Sequence, residues 1–132
     1  MRVLLDSNVW LALLTTNGAC RRMWRQTRTA SVVCASQDIL DEVAEKRRLK
    51  FGFSARHARL LTSFVRRQTV AAGSIEPLPK VCRDSDDDRI LAAAVHSGCA
   101  FLVTGDRDLL ELKRFAGVVI VTPREFMELV SS

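Results

Sequence analysis

Short apolar runs alternate along this chain with longer amphipathic stretches. Val3-Leu4-Leu5 leads at once into Asp6-Ser7-Asn8 and then into Val9-Trp10-Leu11-Ala12-Leu13-Leu14. The spacing predicts a buried strand over 2–6 and a helix over 7–14, capped by Ser7 or Asn8. A polar loop, Thr15-Thr16-Asn17-Gly18, precedes an expected basic helix over 19–29, and residues 31–35 read as a short β-branched strand. Ser36 is placed to cap a helix over 37–49 with Ile39, Leu40, Val43 and Ala44 on one face. Ser54 is placed to cap another over 55–71, with Leu60, Leu61, Phe64 and Val65 inward and Gly73 as its stop. Residues 74–81 carry two prolines and should cross the surface, with a short strand near Ile75. Ser85 then opens a helix over 86–97 that Gly98 ends. Phe101-Leu102-Val103 and residues 118–121 are further strands, with Thr104-Gly105-Asp106 turning the chain after the first. Thr122-Pro123-Arg124-Glu125 combines a capping box with proline at the first helical position.

Strands that alternate with helices predict an α/β fold: a three-layer sandwich around a central parallel sheet of four to five strands. Right-handed crossovers bring the carboxyl ends of such strands to one edge, so Asp6 and Asp106 should meet there. The 132 residues fit one domain, spanning 1–132, with a sizeable core. An apolar fraction of 48% suits a compact protein, and no apolar run approaches the ~18 residues needed to span a bilayer. Asp6 interrupts the start and no signal-peptide pattern follows, so a cytoplasmic location and no membrane partner are expected. Cys20, Cys34, Cys82 and Cys99 are scattered, and His57 and His96 do not complete a zinc pattern; the cysteines read as reduced thiols, with Cys34 and Cys99 in the core.

Charge adds a second layer. The chain holds 20 Lys/Arg against 15 Asp/Glu, and 12 of the bases against 4 of the acids fall in residues 21–67. A cationic region beside an acidic one suits a nucleic-acid substrate, while solvated helix faces are the plain alternative. The acids form four groups. Asp6 follows a buried strand, where a carboxylate must be solvated, hydrogen-bonded or cation-bound, or must cap the next helix. Ser85-Asp86-Asp87-Asp88 places three acids in a first helical turn, which the helix dipole favours but mutual repulsion opposes. Asp38, Asp41, Glu42 and Glu45 share a helix, with Asp38, Glu42 and Glu45 on one stripe. Asp106 and Asp108 follow a strand, where a tight turn would also account for them. Carboxylates without histidine make a hard oxygen site suited to Mg²⁺ or Mn²⁺. No Gly-x-x-x-x-Gly-Lys loop and no Gly-x-Ser-x-Gly elbow is present.

Five segments in order complete the pattern: Leu5-Asp6-Ser7-Asn8, residues 36–42, residues 83–91, residues 103–110, and Thr122-Pro123-Arg124-Glu125-Phe126. In these the chain resembles the PIN-domain family of metal-dependent ribonucleases, in particular the VapC-like toxins of bacterial toxin–antitoxin systems. The resemblance implies RNA phosphodiester hydrolysis by metal-activated water, with Asp6, Glu42, Asp87 and Asp106 holding one or two Mg²⁺ or Mn²⁺ ions. It also implies that Ser7 and Asn8 orient Asp6 and metal-bound water and that Thr104 supports its loop. Asp87 rather than Asp88 takes the family position, three residues before the aliphatic Ile90, while Asp88, Asp108 and Asp84 stand nearby as supporting groups. Ser7 replaces a common threonine and Ser85 a usual proline. A homodimer and a small antitoxin whose tail covers the acidic groove are further implications. Among competing readings, a phosphoacceptor domain needs a lysine after a late strand, which is missing here. A haloacid-dehalogenase-type phosphatase needs an acid where Asn8 stands. A catalytically silent PIN-like RNA-binding module is the alternative function.

Overall fold

The structure, a computed structural model, describes residues 1–15, 18–46, 50 and 52–131. Its centre is a six-stranded sheet of order β3-β2-β1-β4-β6-β5. The strands are β1 Arg2–Leu5, β2 Val32–Ala35, β3 Val70–Ala71, β4 Phe101–Val103, β5 Arg114–Phe115 and β6 Val118–Val121. All pairings are parallel except β5 with β6. The helices are α1 Ser7–Thr15, α2 Gly18–Ala30, α3 Gln37–Asp41, α4 Ala55–Gln68, α5 Ser85–His96, α6 Arg107–Leu112 and α7 Pro123–Ser131. They flank the sheet, with α5 against β1 and β4, α2 and α4 against β2, and α6 and α7 against β6. This is the expected α/β sandwich, extended by two-residue strands at both edges.

The apolar runs bury as their pattern demands. Val3, Leu4, Leu5, Leu102 and Val103 are fully covered, together with Trp10, Leu91, Leu109 and Phe126. Strands enclosed on both faces need such unbroken apolar sequence. Cys34 and Cys99 are buried free thiols. The last helix begins as expected, with Thr122 and Glu125 exchanging side-chain and backbone hydrogen bonds.

Several local boundaries differ from the sequence expectation. Asp6, rather than Ser7 or Asn8, starts α1: its carbonyl accepts from the Val9 and Trp10 amides and its carboxylate from the Ser7 amide. The helix expected over 37–49 is α-helical only to Asp41. Glu42–Lys46 form a π-helical turn, and 47–49 lie outside the described residues, as do Thr16 and Asn17 of the expected polar loop. The next helix stops at Gln68 rather than at Gly73, because Val70–Ala71, expected as its last turn, pair with β2 instead; the short strand expected near Ile75 does not form, and Ile75 lies in irregular chain. On α4, Ala58 and Val65 are buried, whereas Leu60 is 60% exposed because it falls beside that stripe. Asp84, not Ser85, caps α5, its side chain accepting from the Asp86 amide. Three elements, β3, α6 and β5, have no counterpart in the sequence expectation, since two to six residues are too short to show a period.

Candidate metal centre

The topology decides where a ligand can sit. After β1 the chain builds outward through β2 to β3, then returns to lay β4 on the other side of β1. The order therefore reverses between β1 and β4, and a crevice opens at their carboxyl ends. Leu5 is in register with Val103, so the next residues, Asp6 and Thr104, emerge side by side. The Asp6 amide donates to the Val103 carbonyl at 2.9 Å, and the Thr104 hydroxyl donates to Asp6 Oδ2 at 2.7 Å. The other carboxylate oxygen accepts from the Ser7 amide at 2.7 Å. Asp6 is only 8% exposed, and these donors offset the cost of burying its charge. Thr104 also accepts from the Asp106 amide at 3.0 Å, which ties the two strand-end acids through one hydroxyl.

Glu42 reaches the crevice from the second layer. Ser7 donates its hydroxyl to Glu42 Oε2 at 2.6 Å. Ser36 caps α3 through the Ile39 amide, and Ile39, Leu40 and Val43 anchor the segment in the core. Glu42 opens the π-helical turn, and such turns recur at functional sites because they re-aim side chains.

The acid run at the start of α5 splits. Asp88, buried, turns onto the preceding loop, where one oxygen accepts from the Val81 and Cys82 amides at 3.2 and 3.0 Å. Asp87, half-buried, faces Asp106 and Asp108, and oxygen atoms of these three lie within 4.8 Å of one another. Burial and the carboxylates of Asp106, Asp84, Asp6 and Asp108 push the Asp87 carboxyl up to about 7. Asp106 caps α6, accepting at one oxygen from the Asp108 and Leu109 amides at 2.8 and 3.2 Å. The Cys82 thiol is driven up to about 12 by burial, by its hydrogen bond to Asp88 and by the surrounding acids. Without a cation nearby it therefore stays protonated near neutral pH.

A cleft of about 200 Å³ collects these groups, lined by Asp6, Asn8, Glu42, Asp84, Asp86, Asp87, Ile90, Gly105 and Asp106. The structure thus brings Asp6, Glu42, Asp87 and Asp106 around one space. Ser7 and Thr104 lie behind it as hydrogen-bond donors, and Asp108 stands beside Asp87 and Asp106. Asp88 instead serves the loop. Sequence reasoning passed over Asp86, which belongs to the acid run but whose direction a run of like residues does not reveal. The donor set fits a hard divalent cation: among the described residues every charged group lining the cleft is a carboxylate, and burial and neighbouring acids raise one of them, Asp87. Asn8 adds a buried Oδ1 without a hydrogen-bond partner at the same cleft.

Comparisons with known proteins bear on the family and the fold. The family model of the PIN domain matches residues 2–108. An uncharacterized protein of Methanocaldococcus jannaschii is 29% identical over 145 aligned positions, covering 97% of this chain and 90% of the relative. Among solved structures, a chain of VapBC2 from Rickettsia felis, crystallised bound to a DNA fragment from their promoter, superposes with a TM-score of 0.63. That match covers 91% of this chain and 97% of the other at 12% identity, so it is a likeness of fold.

Proposed function

Since the chain belongs to the PIN-domain family, we propose that it is a nuclease of that family that hydrolyses RNA phosphodiesters at a carboxylate-held Mg²⁺ or Mn²⁺ site, and that it acts as the toxin of a toxin–antitoxin pair. The observation that carries the reading is the convergence of Asp6, Glu42, Asp87 and Asp106 on one cleft at the sheet's switch point. The family match supports a nuclease, and the likeness of fold to a VapBC2 chain supports the toxin reading. RNA as substrate is favoured by the basic residues of 21–67, several of which, such as Arg22, Arg25, Arg59 and Arg67, are exposed and suited to grip a phosphate backbone. A small antitoxin covering the acidic cleft, a homodimer and a cytoplasmic location complete the proposal. Among the described residues no helix is long and apolar enough to cross a membrane.

The four acids would hold the cation, with Asp108 beside them. When bound, it would supply Lewis-acid polarisation of the phosphodiester and acidify a water for attack. The chain's own groups prepare that event. Thr104 and Ser7 fix Asp6, so its charge is already oriented before substrate arrives. The same Ser7 hydroxyl steers Glu42. With its carboxyl raised to about 7, Asp87 is only partly ionised near neutral pH, and cation binding would favour its ionised form.

The test is cleavage of end-labelled single-stranded RNA in Mg²⁺ or Mn²⁺, with and without EDTA, beside the Asp6→Asn protein. Metal-dependent cuts that vanish in the variant are expected. Salt-sensitive RNA binding without any cut would replace the nuclease by a silent RNA-binding module. Neither binding nor cutting would remove RNA as the partner.

A further inference from the structure

Beside the cleft lies a second depression of about 210 Å³, which shares Glu42 and Asp86 with it and, among the described residues, holds one cation, Arg89. The Arg89 guanidinium is engaged at several points. Its Nε lies 3.2 Å from both oxygens of Asp38, and its Nη2 lies 3.1 Å from Oδ1. The fork joins residues 51 apart in sequence and bridges α3 to α5. Its position matters because of what those helices carry. Asp38 stands four residues before Glu42, and Arg89 two residues after Asp87. The connection therefore fastens, from outside the cleft, the two segments that bring Glu42 and Asp87 into it. The side chains are 40% and 28% exposed, so the pair is worth little to global stability, whereas a two-point fork defines a distance and an orientation.

We propose that Asp38 and Arg89 are positioning residues: their ion pair sets the spacing between the Glu42 and Asp87 segments and thereby the divalent-cation affinity of the centre. The inference rests on the metal-dependent reading given above. It makes a prediction that charge alone reverses. Neutralising a cation beside an acidic site should tighten cation binding by electrostatics, and neutralising an anion should weaken it. A clasp requires both changes to weaken binding.

Equilibrium titration of the full chain with Mn²⁺, followed by calorimetry, separates these cases, with unfolding midpoints in EDTA confirming that each variant is folded. Arg89→Gln and Asp38→Asn should each weaken Mn²⁺ binding by about 10-fold or more, the scale of groups that orient metal ligands. The double variant should be no weaker than the worse single one, since both remove the same connection. Arg89→Lys, which keeps the charge but loses the fork, should fall on the weakened side. Unchanged or tighter binding in Arg89→Gln, or additive losses in the double variant, would overturn the clasp while leaving the metal reading intact. Absence of Mn²⁺ binding by the unaltered protein would overturn both.

Discussion

Two of the regions that supply carboxylates to the cleft differ sharply, and the contrast explains the site. At the carboxyl ends of β1 and β4, Asp6 is buried yet supplied with internal donors, because parallel register sets Thr104 beside it and the start of α1 offers an amide. At the start of α5, Asp87 has other carboxylates as its neighbours, and its carboxyl rises to about 7. One region is organised in advance; the other is left electrostatically unfinished. Under the proposed function, a divalent cation would complete the second without disturbing the first.

The largest effect should come from the unfinished side. Asp87→Asn is expected to lower RNA cleavage by about 10²–10³-fold, the scale of removing one preorganised electrostatic group, measured in single-turnover assays at saturating Mn²⁺. The organised side should respond mainly through affinity and stability. Thr104→Val removes the donor to Asp6 Oδ2 and should weaken Mn²⁺ binding by roughly 10–100-fold in a calorimetric titration. Leaving that buried oxygen unpaired also costs about 1–3 kcal/mol, to be read by urea unfolding in EDTA.

Asp88 sharpens the contrast within α5 itself. Asp88→Ala strands the Val81 and Cys82 amides, so urea unfolding should show a loss of about 1–3 kcal/mol, with far less effect on Mn²⁺ affinity than Asp87→Asn. Metal affinity falling equally in both variants would contradict the division drawn here. The same contrast extends to pH dependence. Asp87 has its folded-state carboxyl raised above the ordinary value near 4, so the stability it favours is fully present below pH ~4 and is lost as pH rises through about 7. In EDTA, the unfolding midpoint of the unaltered protein should therefore drop between pH 5 and 8 by more than that of Asp87→Asn. Mn²⁺ should remove most of that drop, because the cation replaces the proton.

Much of this architecture was legible in the chain. The runs Val3-Leu4-Leu5, Phe101-Leu102-Val103 and Val118-Val119-Ile120-Val121 become central strands, since only enclosed parallel strands tolerate unbroken apolar sequence. The acids that follow the first two strands were visible for the same reason: the strands end where polarity begins. Less legible were features smaller than a period. The strand at Val70–Ala71 and the helix at Arg107–Leu112 are held by neighbours rather than by pattern. The π-helical turn at Glu42 left no sequence mark, because periodicity there fits an ordinary α-helix.

What the sequence determined by itself was local and periodic: which stretches bury, which acids open helices, and the capping box at Thr122, all set by interactions within a few residues. The tertiary structure decided which oxygens meet. Asp87 and Asp88 are equivalent in composition, yet one enters the cleft and the other holds a loop, because successive helical residues point about 100° apart and only packing fixes the helix's rotation. The register of β1 with β4 and the Asp38–Arg89 bridge likewise join residues 98 and 51 apart. Such pairings depend on loop closure and core packing, which no local pattern encodes.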